Sequence, residues 1–124
     1  MEPIRDLTWL KHLHTGAVIE RFRFHGYRAL ALRIPSSEKF PQEQYLYRML
    51  FFPDAGTKPV LSLNLELSIL GSYCLTEQAG VRHRRFDTVG EPVSYEEFKQ
   101  WALARANREL EQPELQFVQR DLVH

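Results

Sequence analysis

The sequence predicts an α+β fold: a five- or six-stranded antiparallel sheet with a C-terminal helix packed on one face and a short N-terminal helix. Three observations carry that expectation. Extended runs in which apolar and polar side chains alternate follow one another from Val18 to Phe86. The connections between them are short and rich in Gly and Pro, with no room for the helical crossovers that join parallel strands. Helical periodicity is confined to the two ends of the chain.

The first helix is expected over Asp6 to His14. Ile4, Leu7, Leu10 and Leu13 recur every three residues with Trp9 alongside, and Gly16 stands where helices commonly end on a left-handed residue. His12 and His14 are then surface residues near the helix C-terminus, where positive charge is favourable. Two positions apart they splay around a helix, so they do not form a metal pair.

From Val18 the period changes to two. Val18, Glu20, Phe22 and Phe24 fall on one face and Ile19, Arg21 and Arg23 on the other, with the phenylalanines facing the core. His25-Gly26 supplies a tight turn into Leu30, Leu32 and Ile34, which alternate with Ala29, Ala31 and Arg33 until Pro35-Ser36-Ser37. A third run, Gln44 to Phe52, is rich in the aromatic residues that favour pleated surfaces. It stops at Pro53-Asp54-Ala55-Gly56, a turn sequence.

The fourth run is the plainest: Leu61, Leu63, Leu65, Leu67 and Ile69 point one way, and Ser62, Asn64, Glu66 and Ser68 the other. Its leucine face is expected in the core and its polar face in water. After Gly71 come a fifth run with Tyr73, Leu75 and Glu77, the turn Ala79-Gly80, and a sixth run from Val81 to Phe86. Ser94 as N-cap with Glu97 three residues on, and Val93 with Phe98 as a hydrophobic staple, open a helix from Tyr95 to Leu110. Its arc of Tyr95, Phe98, Trp101, Ala102, Arg105 and Ala106 is suited to cover the leucine face. The tail from Pro113 fits a helical stripe as well as a strand edge.

The chain has 124 residues, 16 Lys+Arg balanced by 16 Asp+Glu, and 44% hydrophobic residues, the composition of one globular domain spanning residues 1–124. Zero net charge argues against a dedicated nucleic-acid or anionic-membrane binder, which advertises a basic excess. No apolar segment approaches the roughly 20 residues that cross a bilayer. The lone Cys74 and an N-terminus without a signal pattern point to the cytoplasm. Oligomeric state is not legible.

No P-loop, dinucleotide fingerprint, nucleophile elbow, H-E-x-x-H or cysteine pair is present, so neither a cofactor nor a metal is expected. Cys74 with His83 would be the one nucleophile and base within reach, but a single cysteine in an apolar strand reads as packing. The sharpest local feature is basic and aromatic: Arg21-Phe22-Arg23-Phe24-His25-Gly26-Tyr27-Arg28 and Arg82-His83-Arg84-Arg85-Phe86. Such a chain suits a binding role rather than a catalytic one. A bacterial immunity-type inhibitor, which occludes its partner's site, has this build in size and composition.

The expected mode is recognition of an acidic protein surface, with Arg21, Arg23, Arg82, His83, Arg84 and Arg85 meeting carboxylates and Tyr27 or Phe86 as aromatic anchors. Two alternatives use overlapping residues. The same arginines and aromatics could bind single-stranded nucleic acid. Glu66 and Glu77, on consecutive strands, could instead join His83 in a sheet-floored cleft of a small enzyme or ligand-binding protein, although alternation alone accounts for polar residues there.

Overall fold

A computed structural model describes residues 2–35, 45–67, 71–89 and 93–110. The elements run α1 (Thr8–Thr15), β1 (Ala17–Phe24), β2 (Tyr27–Arg33), β3 (Tyr45–Phe52), β4 (Leu61–Leu67), β5 (Tyr73–Ala79), β6 (Arg82–Thr88) and α2 (Tyr95–Leu110). The strands form one six-stranded sheet in the order β1-β2-β3-β4-β5-β6, every neighbour antiparallel. The expected α+β architecture is therefore present, with six strands. The predicted strand ends at Gln44 and Ile69, the turn residues Ser36 and Ser37, and the tail from Pro113 lie outside the described residues.

Turn chemistry explains the two tightest connections. His25 (φ 50°) and Gly26 (φ 82°) both adopt positive φ, the pair of left-handed residues that a type I′ hairpin needs to match strand twist. Gly80 (φ 58°) does the same at the first central position between β5 and β6.

Helix α2 covers one face of the sheet. Leu61, Leu63 and Leu65 of β4, with Met49 and Phe51 of β3 and Leu75 of β5, pack against Phe98, Ala102, Ala106 and Leu110. Small alanines at two of these helical positions let α2 approach closely, and Tyr47 stacks on Phe98 with ring centroids 5.5 Å apart. The Ser94 hydroxyl accepts from the Glu97 amide at 3.2 Å, the first half of the predicted capping box. Lys99 donates to Glu20 of β1 at 3.1 Å, fastening α2 to the edge of the sheet.

The other face carries a second, smaller core of Ile4, Trp9, Leu32, Ile34, Tyr45, Leu50 and Phe52, covered by α1. Four features of this face and its flanking segments differ from what the sequence predicts. First, α1 turns Trp9 and His12 inward and leaves Leu7, Leu10 and Leu13 61%, 44% and 38% exposed. A large indole that meets Phe52 edge-on at 6.1 Å takes the place the leucine stripe was expected to fill. His12 is consequently buried, not a surface residue.

Second, Gly16 is extended, with φ −84° and ψ 159°. Its glycine is explained by space, because a Cβ there would lie 2.6 Å from the His12 carbonyl oxygen and 3.0 Å from Ile34 Cδ1. Third, a bulge between Val18 and Glu20 breaks the register of β1, so that Val18 pairs with Leu32 while Glu20 pairs with Ala31. Val18 and Glu20 therefore do not share a face.

Fourth, the polar side of β4 and β5 is not wet: Ser62, Asn64, Glu66, Thr76 and Gln78 are all buried. Helix α1 and the segment before it lie across them, tied down by Ile4 N–H to the Pro59 carbonyl and Arg5 N–H to the Gly80 carbonyl, both 2.9 Å. Alternation reports which residues share a face, and a second helix decides whether that face meets water.

Candidate functional site

The register divides the predicted binding residues among three places. Phe22 and Phe24 of β1, Tyr27 of β2 and Phe86 of β6 pack partly buried on the α2 side. Arg82 and Arg84 share that side with Glu77, whereas His83 and Arg85 pair with Gln78 and Thr76 and take the α1 side. Arg21 and Arg23 also face the α1 side, but on β1, at the opposite edge of the sheet, five strand spacings or roughly 24 Å away. The arginines therefore do not form one surface, and the aromatic anchors Tyr27 and Phe86 are on the reverse face from Arg21 and Arg23.

Arg82 and Arg84 are engaged at the end of α2. Arg82 reaches Glu109 at 3.1 Å and Glu77 at 3.4 Å, and Arg84 lies 4.0 Å from Glu109. Arg105 completes the cluster at 3.2 Å from Glu77 and 2.7 Å from Glu109, with its guanidinium 4.5 Å above the Phe86 ring. Glu77 is fully buried in this network, which fastens α2 to β5 and β6.

Glu66 sits on the opposite face from Glu77, so the two carboxylates do not share a cleft. Thr76 donates its hydroxyl to Glu66, and His83 Nε2 lies 3.1 Å from the same carboxylate oxygen. Beside this pair a small pocket of 260 Å³ is lined by Arg5, Asp6, Gln78, Arg82 and His83. Cys74, Cα partner of Glu66, is buried, and burial pushes its thiol above the ordinary range despite the charge of Arg85. A thiol so held is a poor nucleophile at neutral pH.

The interior of the α1 face is organised by Arg48, which the sequence reading passed over. Its Nη1 donates to the Thr8 hydroxyl at 2.7 Å and lies 3.1 Å from His12 Nδ1. Nη2 donates to Gln78 at 2.7 Å and Ser62 at 3.0 Å, and Nε to Asn64 at 3.0 Å. The guanidinium also stacks 4.4 Å from the Tyr45 ring centre. Nothing marks Arg48 in the sequence beyond its place in an aromatic strand, because its partners come from three other elements, α1, β4 and β5.

An open groove of about 620 Å³ lies where the α1 face is not covered, over the hairpin end of β1, β2 and β3. Its apolar floor is Leu13 of α1, Leu30 of β2 and Phe52 of β3, and three arginines line it: Arg21, Arg23 and Arg28. Arg23 stands directly opposite Arg28 across the β1–β2 ladder. Arg28 donates to the Gly56 carbonyl and lies 5.3 Å over the Phe52 ring, while Arg23 binds Asp54 at 2.6 Å. Arg21 makes no ion pair among the described residues. The Asp54 carboxyl is held below its ordinary range by its hydrogen bond from Arg23 and the charges of Arg23 and Arg28.

Comparison with protein-family models, with curated proteins and with solved structures finds no match to this chain. What fold and site define is thus a class of architecture, an α+β domain whose six-stranded meander carries a helix on each face. Among the described residues no cluster of His, Cys, Asp or Glu has the arrangement of a metal site, and no helix is long and apolar enough to cross a membrane.

Proposed function

We propose that this domain recognises a protein partner through the groove between α1 and the β1–β2 hairpin, meeting acidic groups of the partner with Arg21, Arg23 and Arg28. The observation that carries the reading is the placement of Arg23 opposite Arg28. Like charges directly opposite on neighbouring strands weaken a sheet, so strand pairing does not account for them. Asp54 relieves part of that repulsion from within the chain, and an incoming carboxylate would relieve more, because guanidinium forks bind carboxylates bidentately.

The nucleic-acid alternative draws less support from the same geometry. Base stacking needs exposed aromatic faces beside the arginines. Phe22, Phe24 and Phe86 pack instead on the α2 side, and Phe52 at the groove floor is only 8% exposed. The ligand-binding alternative keeps one specific observation, the Glu66–His83 contact beside the 260 Å³ pocket. Metabolite-library screening by ligand-observed NMR, with His83→Ala as control, tests it.

The test of the main reading is a capture experiment with paired variants. A partner retained from lysate after nuclease treatment by the native chain, and lost with Arg21→Glu and Arg28→Glu, supports it. Retention that is indifferent to both charge reversals, or abolished by nuclease, overturns it.

A further inference from the structure

Resting on the groove reading above, we infer that the partner's epitope is a short linear segment in which an apolar pair, one side chain of which is buried in the groove, is flanked by carboxylates. The groove itself specifies both halves of that chemistry. Leu13, Leu30 and Phe52 offer an apolar floor, and burying one Leu or Phe side chain there supplies the affinity that rim charges alone do not. Leu13 is turned away from the buried face of α1 and is 38% exposed, so it presents accessible apolar surface to the groove.

The charge complement points to carboxylates. Three arginines line the groove, and Asp54 is the carboxylate that reaches one of them among the described residues. Asp54 acts as an internal competitor: it occupies Arg23 in the way the ligand's carboxylate would. The pair is exposed, with 67% and 65% of the two side chains accessible, so it exchanges readily with a competing anion. Arg21, without an ion pair among the described residues, and Arg28, anchored through a carbonyl and an aromatic ring, are the groups that a ligand carboxylate reaches first.

The geometry of β1 selects this mode over strand addition. A peptide that extends a sheet needs a regular free edge, and β1 carries a bulge between Val18 and Glu20 together with charged side chains, the features that blunt an edge. The occupant therefore lies on the face, across the groove, with its apolar residue inserted between α1 and β3.

The experiment uses the full chain and fluorescein-labelled peptides in anisotropy titrations at low and high salt. The probe is Gly-Asp-Glu-Leu-Phe-Glu-Asp-Gly, with one control in which Leu-Phe becomes Ser-Ser and one in which every acidic residue becomes Lys. The expected result is binding at least about tenfold tighter than either control and weakened by salt. Arg21→Glu lowers affinity by about tenfold or more, whereas Asp54→Asn raises it a few-fold by releasing Arg23. Unchanged melting temperatures show that both exposed variants fold. Equal affinity for the Ser-Ser or Lys peptide, or no response to Arg21→Glu, overturns the inference. If Arg21-dependent capture of a partner succeeds while the acidic peptide does not bind, the linear epitope is wrong and protein recognition stands. If neither depends on Arg21, both fall.

Discussion

Arg48 and Gln78 are joined by a 2.7 Å hydrogen bond through the middle of the sheet, and the same Gln78 amide donates to Asp6 at 3.1 Å, linking β3, β5 and the segment before α1. The neutral Gln78 amide thereby bridges the Arg48 guanidinium at the centre of the fold to the Asp6 carboxylate at its margin. Arg48 is 0% exposed and its guanidinium donates to Thr8, Ser62, Asn64 and Gln78.

Replacing Arg48 by Met fills similar volume but leaves those buried acceptors without their donor. Each buried acceptor left without its donor costs about 1–3 kcal/mol, and we expect Arg48→Met to reduce unfolding free energy by about 3–5 kcal/mol. Urea denaturation followed by tryptophan fluorescence measures it, since Trp9 lies on the same face. A change below about 1 kcal/mol would show that the network is incidental to stability.

How much of this was legible follows from which interactions are local. The hairpin at His25-Gly26, the Ser94 cap and the leucine face of β4 each depend on residues within one element and its immediate neighbour, and alternation or turn chemistry reveals them. The inward turn of Trp9 and His12 was hidden because the every-third-residue leucines give the same period on a different face of a helix only eight residues long. Burial of Ser62, Asn64 and Gln78 was hidden because it needs Arg48 as a shared donor, and that of Thr76 and Glu66 because they bond to each other across strands; a strand arginine looks the same in sequence whether it faces water or a polar interior. Of the groove, Arg21, Arg23 and Arg28 were visible in one basic and aromatic run, although the facing of Arg23 and Arg28 was not. Leu13, Leu30 and Phe52 join them only through register and the path of α1.

Glu77 makes a separate, opposite-face prediction. It is wholly buried between Arg105 and Arg82. Glu77→Leu leaves Arg105, itself mostly buried, with Glu109 as its remaining carboxylate among the described residues, and should destabilise by about 3 kcal/mol. The double variant Glu77→Leu with Arg105→Met replaces the ion pair by apolar volume and should recover most of that loss, because hydrophobic replacement of a buried pair is often neutral. A double-mutant cycle by chemical denaturation reads the coupling directly.

Stability is expected to fall on acidification through two identified carboxylates. Burial would raise the Asp6 carboxyl, but hydrogen bonds from the Thr8 hydroxyl and amide, the charge of Arg48 and the Gln78 amide together hold it below its ordinary 3.8. Glu20 is held below its ordinary 4.5 by hydrogen bonds from Lys99 and Tyr95. Both native values lie below the unfolded ones, so their contribution is complete above the ordinary values and is lost as pH falls through the native ones. Glu20→Gln should therefore be less stable than the native chain at neutral pH, yet lose less between about pH 5 and pH 3. Parallel pH-dependence curves for the two chains would refute the assignment.

Two glycines distinguish space from backbone conformation as the reason for a glycine. At Gly16 the φ of −84° suits any residue, but an added Cβ meets the His12 carbonyl at 2.6 Å. At Gly26 the φ of +82° strains most side chains, yet nothing lies within 4 Å of the missing Cβ. Asparagine tolerates left-handed backbone better than alanine but occupies more room. Gly26→Asn should therefore be close to neutral while Gly26→Ala costs about 1 kcal/mol. At Gly16, Ala and Asn should both destabilise, by about 1–3 kcal/mol, with Asn no better than Ala, because the obstacle is a backbone oxygen in a packed helix terminus. Thermal melts of the four variants check the pattern, and rescue by Asn at Gly16 would mean that conformation, not the close approach of α1 to its own C-terminal strand, selects that glycine.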